Sequence, residues 1–278
     1  MMGGIRNASP NERIKALDAA IAALDRVAVA FSAGTDSTLL LARCLKVLGT
    51  DRVLAITADS PTLPRRELEE ARALADELGA RHMIIATHEM ENLDFTGNSP
   101  DRCYHCKREL FERMQEVADA QGYACLAYGA TADDTADHRP GMWAAREAGA
   151  VAPLLDAGLT KDDVRELSRR MGLRTWDKPA MACLSSRLPY GSAITPEALA
   201  RIEAGENILR DMGFRQVRVR HHDTVARLEV EGDEIPRLLD GAIRSRVVAR
   251  FRDLGYHYVT VDLAGFRSGS MNDVLAAS

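Results

Sequence analysis

A short polar segment between an apolar strand and a helix is the first place where the sequence suggests chemistry. The apolar run Val27–Phe31 predicts a buried strand, which passes through Ser32–Ser37 (SAGTDS) into the helical pattern Leu39–Leu48. Backbone N–H groups at such a turn bind tetrahedral oxyanions together with the helix dipole, and Gly34 lets the backbone approach a ligand closely. The segment is not a Walker A loop. It predicts a phosphate site, with an ordinary capped turn as the alternative.

Cysteines supply the second candidate centre. Cys103 and Cys106 form a C-x-x-C pair at a predicted loop-to-helix start, and Cys183 lies far away in an irregular segment. The helix N-terminus and neighbouring basic residues favour thiolates, and two thiolates at this spacing can share one metal centre. Four interpretations stay open: zinc with His105 as a fourth ligand, a redox dithiol, inert cysteines, or an iron–sulfur cluster on three cysteines.

Two arginines form the third candidate. Arg218 and Arg220 alternate along the predicted strand Val217–Arg220, so both side chains face the same side. Two guanidinium groups on one face suit a phosphate or carboxylate. The alternative is a solvated strand face.

Alternating strands and helices must position these groups. This alternation predicts an α/β fold with a doubly wound parallel sheet, in which ligands bind beyond the carboxyl ends of the strands. The predicted strands are Val27–Phe31, Val53–Ala58, His82–Thr87 and Tyr123–Tyr128, and the predicted helices include Pro10–Asp25, Leu39–Leu48, Pro64–Leu78 and Cys106–Ala120. Polar segments follow three of these strands, at Ser32–Ser37, Thr57–Pro61 and Gly129–Pro140.

The pattern changes towards the C-terminus. A connector rich in Pro, Gly and Ser covers residues 150–195 and contains a capped helix that begins at Thr160. A helix (Thr195–Met212), two adjacent strands, further helical stretches and a last strand (Tyr258–Leu263) then predict a smaller α+β domain. We therefore expect domains at residues 1–188 and 189–278. The irregular segments around residues 129–141 and 173–195 are long enough to be functional loops, although plain connectors would have a similar composition.

Composition narrows the function classes. The 278 residues carry a net charge of -5 and 46% hydrophobic residues, which indicates a folded protein and disfavours a general polyanion binder. Residues 187–278 carry 13 basic and 13 acidic residues, so no nucleic-acid partner is expected. No transmembrane run or secretory signal is apparent. Five cysteines, of which Cys44 and Cys125 are predicted core thiols, favour a reducing cytoplasmic location over a disulfide framework.

The SAGTDS segment resembles the S-G-G-x-D-S loop of the PP-loop ATP pyrophosphatase superfamily, with Ala33 in place of the second-position glycine. The superfamily adenylates a carbonyl or carboxylate and releases pyrophosphate. The resemblance implies that Asp36 and Ser37 handle pyrophosphate and Mg²⁺. It also implies ATP contacts along the loop and at the ends of later strands, from Ser32, Gly34, Thr35, Asp36, Ser37, Thr57, Ser60 and Gly129.

Longer segments resemble the LarE family of ATP-dependent sulfur transferases, over roughly residues 12–270. They include ITADSPTLPRREL, SPDRCYHCKREL, PLLDAGLTKDDVRELS, WDKPAMACLSSR and VRVRHHDTVARLEV. The family adenylates the carboxylates of pyridinium-3,5-biscarboxylic acid mononucleotide and replaces oxygen with sulfur, giving the bis-thiocarboxylate used in nickel-pincer nucleotide synthesis. Other adenylating enzymes of the superfamily, for tRNA thiolation or NAD or GMP synthetase-like amidotransfer, are the alternative. A further alternative is that the protein is a non-catalytic metal-binding module.

The resemblance also implies a sulfur source. Some members use one cysteine, matching Cys183, and others hold a [4Fe-4S] cluster on three cysteines. Cys103, Cys106 and Cys183 place this chain in the cluster type, and we expect them to converge in space. The residues implied to bind the substrate are Arg187, Arg218, Arg220, Glu206 and Glu229. For the two glutamates, binding of a metal ion is an alternative role. The implied partners are the nucleotide substrate, a sulfur donor protein or sulfide, and further copies of the chain in a homo-oligomer.

Overall fold

Each of two units contains one β-sheet. The computed structural model describes residues 9–136 and 140–267. Residues 9–92 and 101–181 belong to the first unit, and residues 93–100 and 182–267 to the second. The strands are β1 (Val27–Ala30), β2 (Val53–Asp59), β3 (Arg81–Ala86) and β4 (Cys125–Ala127) in the first unit, then β5 (Val217–His222), β6 (Val225–Val230) and β7 (Tyr258–Val261) in the second.

The first sheet is parallel throughout, in the order β3-β2-β1-β4. Side chains of β1 alternate between its two faces, as a strand requires. Val27 and Val29 join the core beneath Leu17 and Leu39, whereas Ala28 joins a second core with Phe111. Helices therefore cover both faces, which confirms the predicted doubly wound α/β fold.

The predicted helices are present, and the structure adds three short ones that were not predicted, over residues 93–96, 140–147 and 153–156. The helices are α1 (Pro10–Ala22), α2 (Thr35–Leu48), α3 (Arg65–Glu77), α4 (Leu93–Thr96), α5 (Arg102–Ala120), α6 (Pro140–Glu147), α7 (Pro153–Asp156), α8 (Lys161–Arg170), α9 (Pro196–Asp211), α10 (Ile235–Leu239) and α11 (Gly241–Asp253). Two start four residues earlier than predicted, α2 at Thr35 and α5 at Arg102. Along the described residues, no helix is both long and apolar enough to cross a membrane.

The second unit is a small α+β arrangement, as predicted. Its sheet is mixed, since β5 and β6 are antiparallel while β6 and β7 are parallel. Val219, Leu228 and Phe251 lie in its core. The segment 93–100 joins this unit through Asn98, whose Nδ2 donates to the carbonyl oxygens of Pro189 (2.7 Å) and Ser192 (2.8 Å). The domain boundary after residue 188 stays a prediction.

Candidate active site

The loop between β1 and α2 is closed by the side chain of Ser37. Its hydroxyl donates to the carbonyl of Gly34 (3.2 Å) and accepts from the backbone N–H of Ser32 (3.2 Å). Because Ser37 has one hydroxyl proton, the Ser32 hydroxyl, 3.1 Å away, must donate to it. These bonds join the first and last residues of SAGTDS and give the loop a fixed shape before a ligand arrives.

The N-terminus of α2 opens into this loop without a side-chain cap. Gly34 occupies the N-cap position and supplies no capping hydrogen bond, whereas Ser9, Thr160 and Thr195 cap α1, α8 and α9 with their side chains. The first-turn N–H groups of a helix have no intrahelical acceptor. At α2 the N-cap side chain does not bind them, which suits an anion, and the helix dipole adds partial positive charge.

The left-handed residue of the loop is Ala33 rather than a glycine. Ala33 has φ +55° and is fully buried, while Gly34 has φ -78°, which any residue adopts. The departure from the superfamily pattern thus falls where a glycine would relieve strain.

Gly129 follows β4 and packs against the backbone of the loop. A Cβ at this position would lie 2.9 Å from the nitrogen of Ser37 and 3.0 Å from the carbonyl carbon of Asp36. Since backbone cannot rotate away as a side chain can, only glycine fits here. Gly129, predicted to contact ATP, therefore shapes the first turn of α2.

The hydroxyl groups of Thr57 and Ser60, predicted to contact ATP, both have protein partners. Thr57 is buried and donates to the carbonyl of Phe31 (2.7 Å), so Nε2 of His82, 2.8 Å away, must donate to Thr57. Burial, helped by Arg72, lowers the pKa of His82, which favours this neutral form. Ser60 donates to the buried carboxylate of Glu89. Both hydroxyls therefore brace the ends of the strands.

A lysine that the sequence analysis did not single out lies at the same loop. Nζ of Lys178 is 3.0 Å from the carbonyl oxygen of Ala33 and 2.7 Å from Oε2 of Glu67. Nearby, the Thr35 hydroxyl donates to the carbonyl of Thr175 (2.8 Å). The only sequence signal was the irregular segment around WDKPA, which carries no periodicity.

Cys103 and Cys106 both lie within α5, whereas the sequence placed Cys103 just before the predicted helix. They are three residues apart in its first turns and so share one face of the helix. Cys103 is exposed, Cys106 is half-buried, and neither forms a disulfide. Two thiols outside any disulfide, on one face of a helix N-terminus that favours thiolates, fit two ligands of a single metal centre.

Cys183 belongs to the second unit and precedes a 3-10 turn, Leu184–Arg187. Its half-buried sulfur lies 3.0 Å from the Ser185 hydroxyl. Within residues 9–136 and 140–267, no group of three or more His, Cys, Asp or Glu residues is arranged to hold a metal ion. The convergence of the three cysteines stays a prediction. Cys44 lies in the core as expected, while Cys125 is only partly buried against it, and burial raises both their pKa values, that of Cys44 to about 12.

Arg187 supports the Cys183 turn from inside the protein. It is completely buried, and its Nη1 donates to the carbonyls of Ala182 (2.7 Å) and Cys183 (2.9 Å). Its Nε and Nη2 bind both carboxylate oxygens of Glu206 at 2.7 and 3.0 Å. All three nitrogens of Arg187 are thus held by protein acceptors, and its expected role in binding substrate stays a prediction.

A second buried ion pair braces the same turn. Arg220 binds Glu229 through two hydrogen bonds, of 2.8 and 2.9 Å, and donates from Nη1 to the carbonyl of Ser186 (2.7 Å). Glu206 also accepts from Arg210 (2.8 Å). Although burial alone raises the pKa of Glu206, Arg187, Arg210 and Arg218 hold it below its usual range. The glutamates expected at a metal or substrate are thus counter-ions of arginines.

Arg218 completes this cluster of buried charge. It shares the strand face of Arg220, as predicted, but that face is buried rather than solvated. Its guanidinium lies over the ring of Phe266, 5.2 Å from the ring centre. Burial, with repulsion from Arg187, lowers its pKa to about 10. The cluster thus contains Arg187, Arg210, Arg218 and Arg220 together with Glu206 and Glu229.

Comparison with known proteins agrees with this geometry. Residues 15–109, which contain the loop, match the NAD synthase family model. The chain is 41% identical to pyridinium-3,5-bisthiocarboxylic acid mononucleotide synthase of Lactiplantibacillus plantarum, over 93% of each chain. The chain belongs to the LarE family. It is thus a PP-loop enzyme of the ATP-using class.

Two further relatives have a higher and a lower sequence identity to the chain than this synthase. The chain is 44% identical to an uncharacterised protein of Synechocystis, over 91% of this chain and 94% of the relative. It is 29% identical to the NH₃-dependent NAD⁺ synthetase of Hyperthermus butylicus, over 66% of each chain. The chain is therefore also similar, at lower identity, to an enzyme outside the LarE family.

Proposed function

We propose that the protein is an ATP-dependent sulfur transferase. It adenylates the carboxylates of pyridinium-3,5-biscarboxylic acid mononucleotide and replaces oxygen with sulfur, to give the bis-thiocarboxylic acid mononucleotide. The observation that carries the proposal is the 41% identity to the synthase over nearly the whole of both chains. The uncapped N-terminus of α2 supports it, since adenylation needs an anion site for departing pyrophosphate.

The PP-loop performs the adenylation. A carboxylate oxygen is a poor leaving group, and conversion to an acyl-adenylate replaces it with AMP. The backbone N–H groups at the start of α2 stabilise the charge that develops on pyrophosphate, and the closed Ser32–Ser37 hydrogen bonds keep them oriented. Asp36 would hold Mg²⁺, whose charge would neutralise that of the phosphates.

Cys183 is central to sulfur delivery. Its turn is rigid because Arg187 and Arg220 hold the carbonyl groups of residues 182, 183 and 186. Cys103, Cys106 and Cys183 would hold a [4Fe-4S] cluster, which supplies sulfide as a nucleophile without consuming the protein. The thiols of Cys103 and Cys106 fit this assignment by their shared helix face.

Arg218 is the substrate-binding residue that we propose in the second unit. Arg218 is buried beside other arginines whose repulsion lowers its pKa, and an anion such as the mononucleotide's phosphate would relieve that repulsion. Its replacement by Met should weaken binding of the mononucleotide about tenfold to a hundredfold and leave ATP binding unchanged. Calorimetric titration of the two ligands checks this, and a loss confined to ATP would contradict it.

The function is tested by anaerobic purification, iron and sulfide analysis, and incubation with ATP and the mononucleotide. We expect AMP, pyrophosphate and a product in which sulfur has replaced oxygen. Asp36→Ala and Ser37→Ala should abolish AMP formation while the fold is kept, and unchanged AMP release by both would contradict the role of the loop.

Ligation of an amine is the second candidate, favoured by the NAD synthase match. Formation of NAD⁺ from deamido-NAD⁺ and ammonia, with no sulfur product from the mononucleotide, would replace the proposal with an amidotransfer.

A further inference from the structure

A lysine and a glutamate from distant parts of the first unit meet at the PP-loop. Nζ of Lys178 bonds to the carbonyl oxygen of Ala33 and to Oε2 of Glu67, and the two side chains are only 16% and 15% exposed. An ammonium group has three N–H donors. Among the described residues the protein takes two of them, so one N–H of Lys178 is left for a ligand.

The backbone around Lys178 is fastened to its surroundings. Arg165 donates to the carbonyls of Trp176 (2.9 Å) and Lys178 (3.2 Å). The Thr35 hydroxyl binds the carbonyl of Thr175 and so ties the segment to the first turn of α2. The ammonium group is therefore held at the loop and does not have to travel to it.

The loop itself lacks the positive charge that a pyrophosphate needs. Asp36 is the only ionisable residue of SAGTDS, and its charge is negative. A helix N-terminus contributes about half a positive charge, whereas pyrophosphate carries several negative charges. Lys178 supplies a full positive charge at a loop that has no Walker-type lysine of its own.

We propose that Lys178 and Glu67 form an exchangeable ion pair, in which Lys178 binds the departing pyrophosphate and Glu67 competes for the ammonium group and so promotes release. This inference rests on the proposed adenylation. There, a substrate carboxylate oxygen bonds to the α-phosphorus while the bond from that phosphorus to the bridging oxygen breaks. Pyrophosphate leaves with the electron pair, and Lys178 keeps its proton throughout.

Calorimetric titration of the full chain with magnesium pyrophosphate alone tests the pair without the sulfur donor or the mononucleotide. Lys178→Met should raise the Kd for pyrophosphate about tenfold to a hundredfold, because a charge-assisted contact is lost. Glu67→Gln should lower this Kd about threefold to tenfold, because the competing carboxylate is gone. Opposite changes in Kd in the two variants distinguish this proposal from a merely structural ion pair, whose loss would weaken pyrophosphate binding in both.

Arg174→Met is the matched control. Glu67 lies in α3, and Arg174 forms exposed ion pairs with two other glutamates of that helix, Glu70 (2.6 Å) and Glu77 (2.8 Å). Neither pair involves the loop. Its removal should leave the Kd for pyrophosphate unchanged. The Kd for AMP should stay the same in Lys178→Met, whereas a distorted loop would weaken both ligands.

Three results would overturn the inference: no binding of magnesium pyrophosphate to the wild-type protein, wild-type affinity in Lys178→Met, or weaker binding in Glu67→Gln. If Lys178→Met does not fold, Glu67→Gln decides alone. A wild-type protein that makes no thiocarboxylate, yet binds pyrophosphate through Lys178, would reject the proposed sulfur transfer and leave this inference standing. Normal sulfur transfer, together with pyrophosphate binding that does not depend on Lys178, would reject this inference and leave the proposed sulfur transfer standing.

Discussion

Arg187→Met removes the central cation from beneath the Cys183 turn. Glu206 is fully buried and loses two hydrogen bonds of 2.7 and 3.0 Å, but it keeps Arg210 and the backbone N–H of Val219. The carbonyls of residues 182 and 183 lose a donor as well. Breaking a buried ion pair costs about 3–5 kcal/mol, and the retained partners place this case near the lower figure, at about 3 kcal/mol.

Urea unfolding of the two proteins measures this loss of stability. Arg210→Met is the matched control, because Arg210 binds the same carboxylate through one bond and is 17% exposed. It should cost only about 1–1.5 kcal/mol. Alkylation of Cys183, followed by mass spectrometry of its peptide, should be faster in Arg187→Met because the turn is no longer held. An Arg187→Met protein as stable as wild type, with a loss only in mononucleotide binding, would refute the supporting role and favour Arg187 as a substrate ligand.

Three further outcomes are expected. Gly129→Ala should weaken ATP binding at least about tenfold in calorimetric titration, because its Cβ would meet loop backbone at 2.9 Å; unchanged affinity would contradict the packing. Ala33→Gly should change the unfolding free energy by less than about 1 kcal/mol, because relief of left-handed strain offsets the lost burial of a methyl group. Ala33→Val should cost at least about 2 kcal/mol. Equal stability of the two variants would argue against the strain. Burial lowers the pKa of His82 below its usual 6.5, so as the pH falls His82 is protonated in the unfolded chain before it is protonated in the folded one, and stability should fall below about pH 6.5. His82→Gln, which keeps a donor for Thr57, should flatten this pH dependence of thermal unfolding. An unchanged pH profile would rule His82 out as the cause.

The order of strands and helices was predictable because each depends on local signals. Capping side chains marked the starts of α1, α8 and α9 at Ser9, Thr160 and Thr195. The start of α5 was placed four residues late, although its N-cap, Asp101, is of a residue type preferred at that position; its side chain makes no capping hydrogen bond. The first turn of α2 was assigned to the loop because its residues are polar and its apolar periodicity begins only at Leu39.

The candidate site was less predictable because its contacts are long-range. The two-residue spacing of Arg218 and Arg220 correctly gave a shared face. It did not reveal that Glu229 and Glu206, from β6 and α9, neutralise arginines in this cluster. Lys178 was missed for the same reason, since its acceptor Ala33 lies 145 positions away in the sequence. Pairing of charges across that distance is fixed by packing and has no local pattern.

Oxygen-isotope transfer tests the central claim most directly. The mononucleotide is prepared with both carboxylates labelled with ¹⁸O, and the AMP released during turnover with ATP is analysed by mass spectrometry. If the carboxylate is adenylated and sulfur then displaces AMP, each AMP should carry one ¹⁸O from the carboxylate, matched by one sulfur gained in the product. AMP free of label, alongside a product that has gained sulfur, would contradict adenylation as the route by which oxygen leaves.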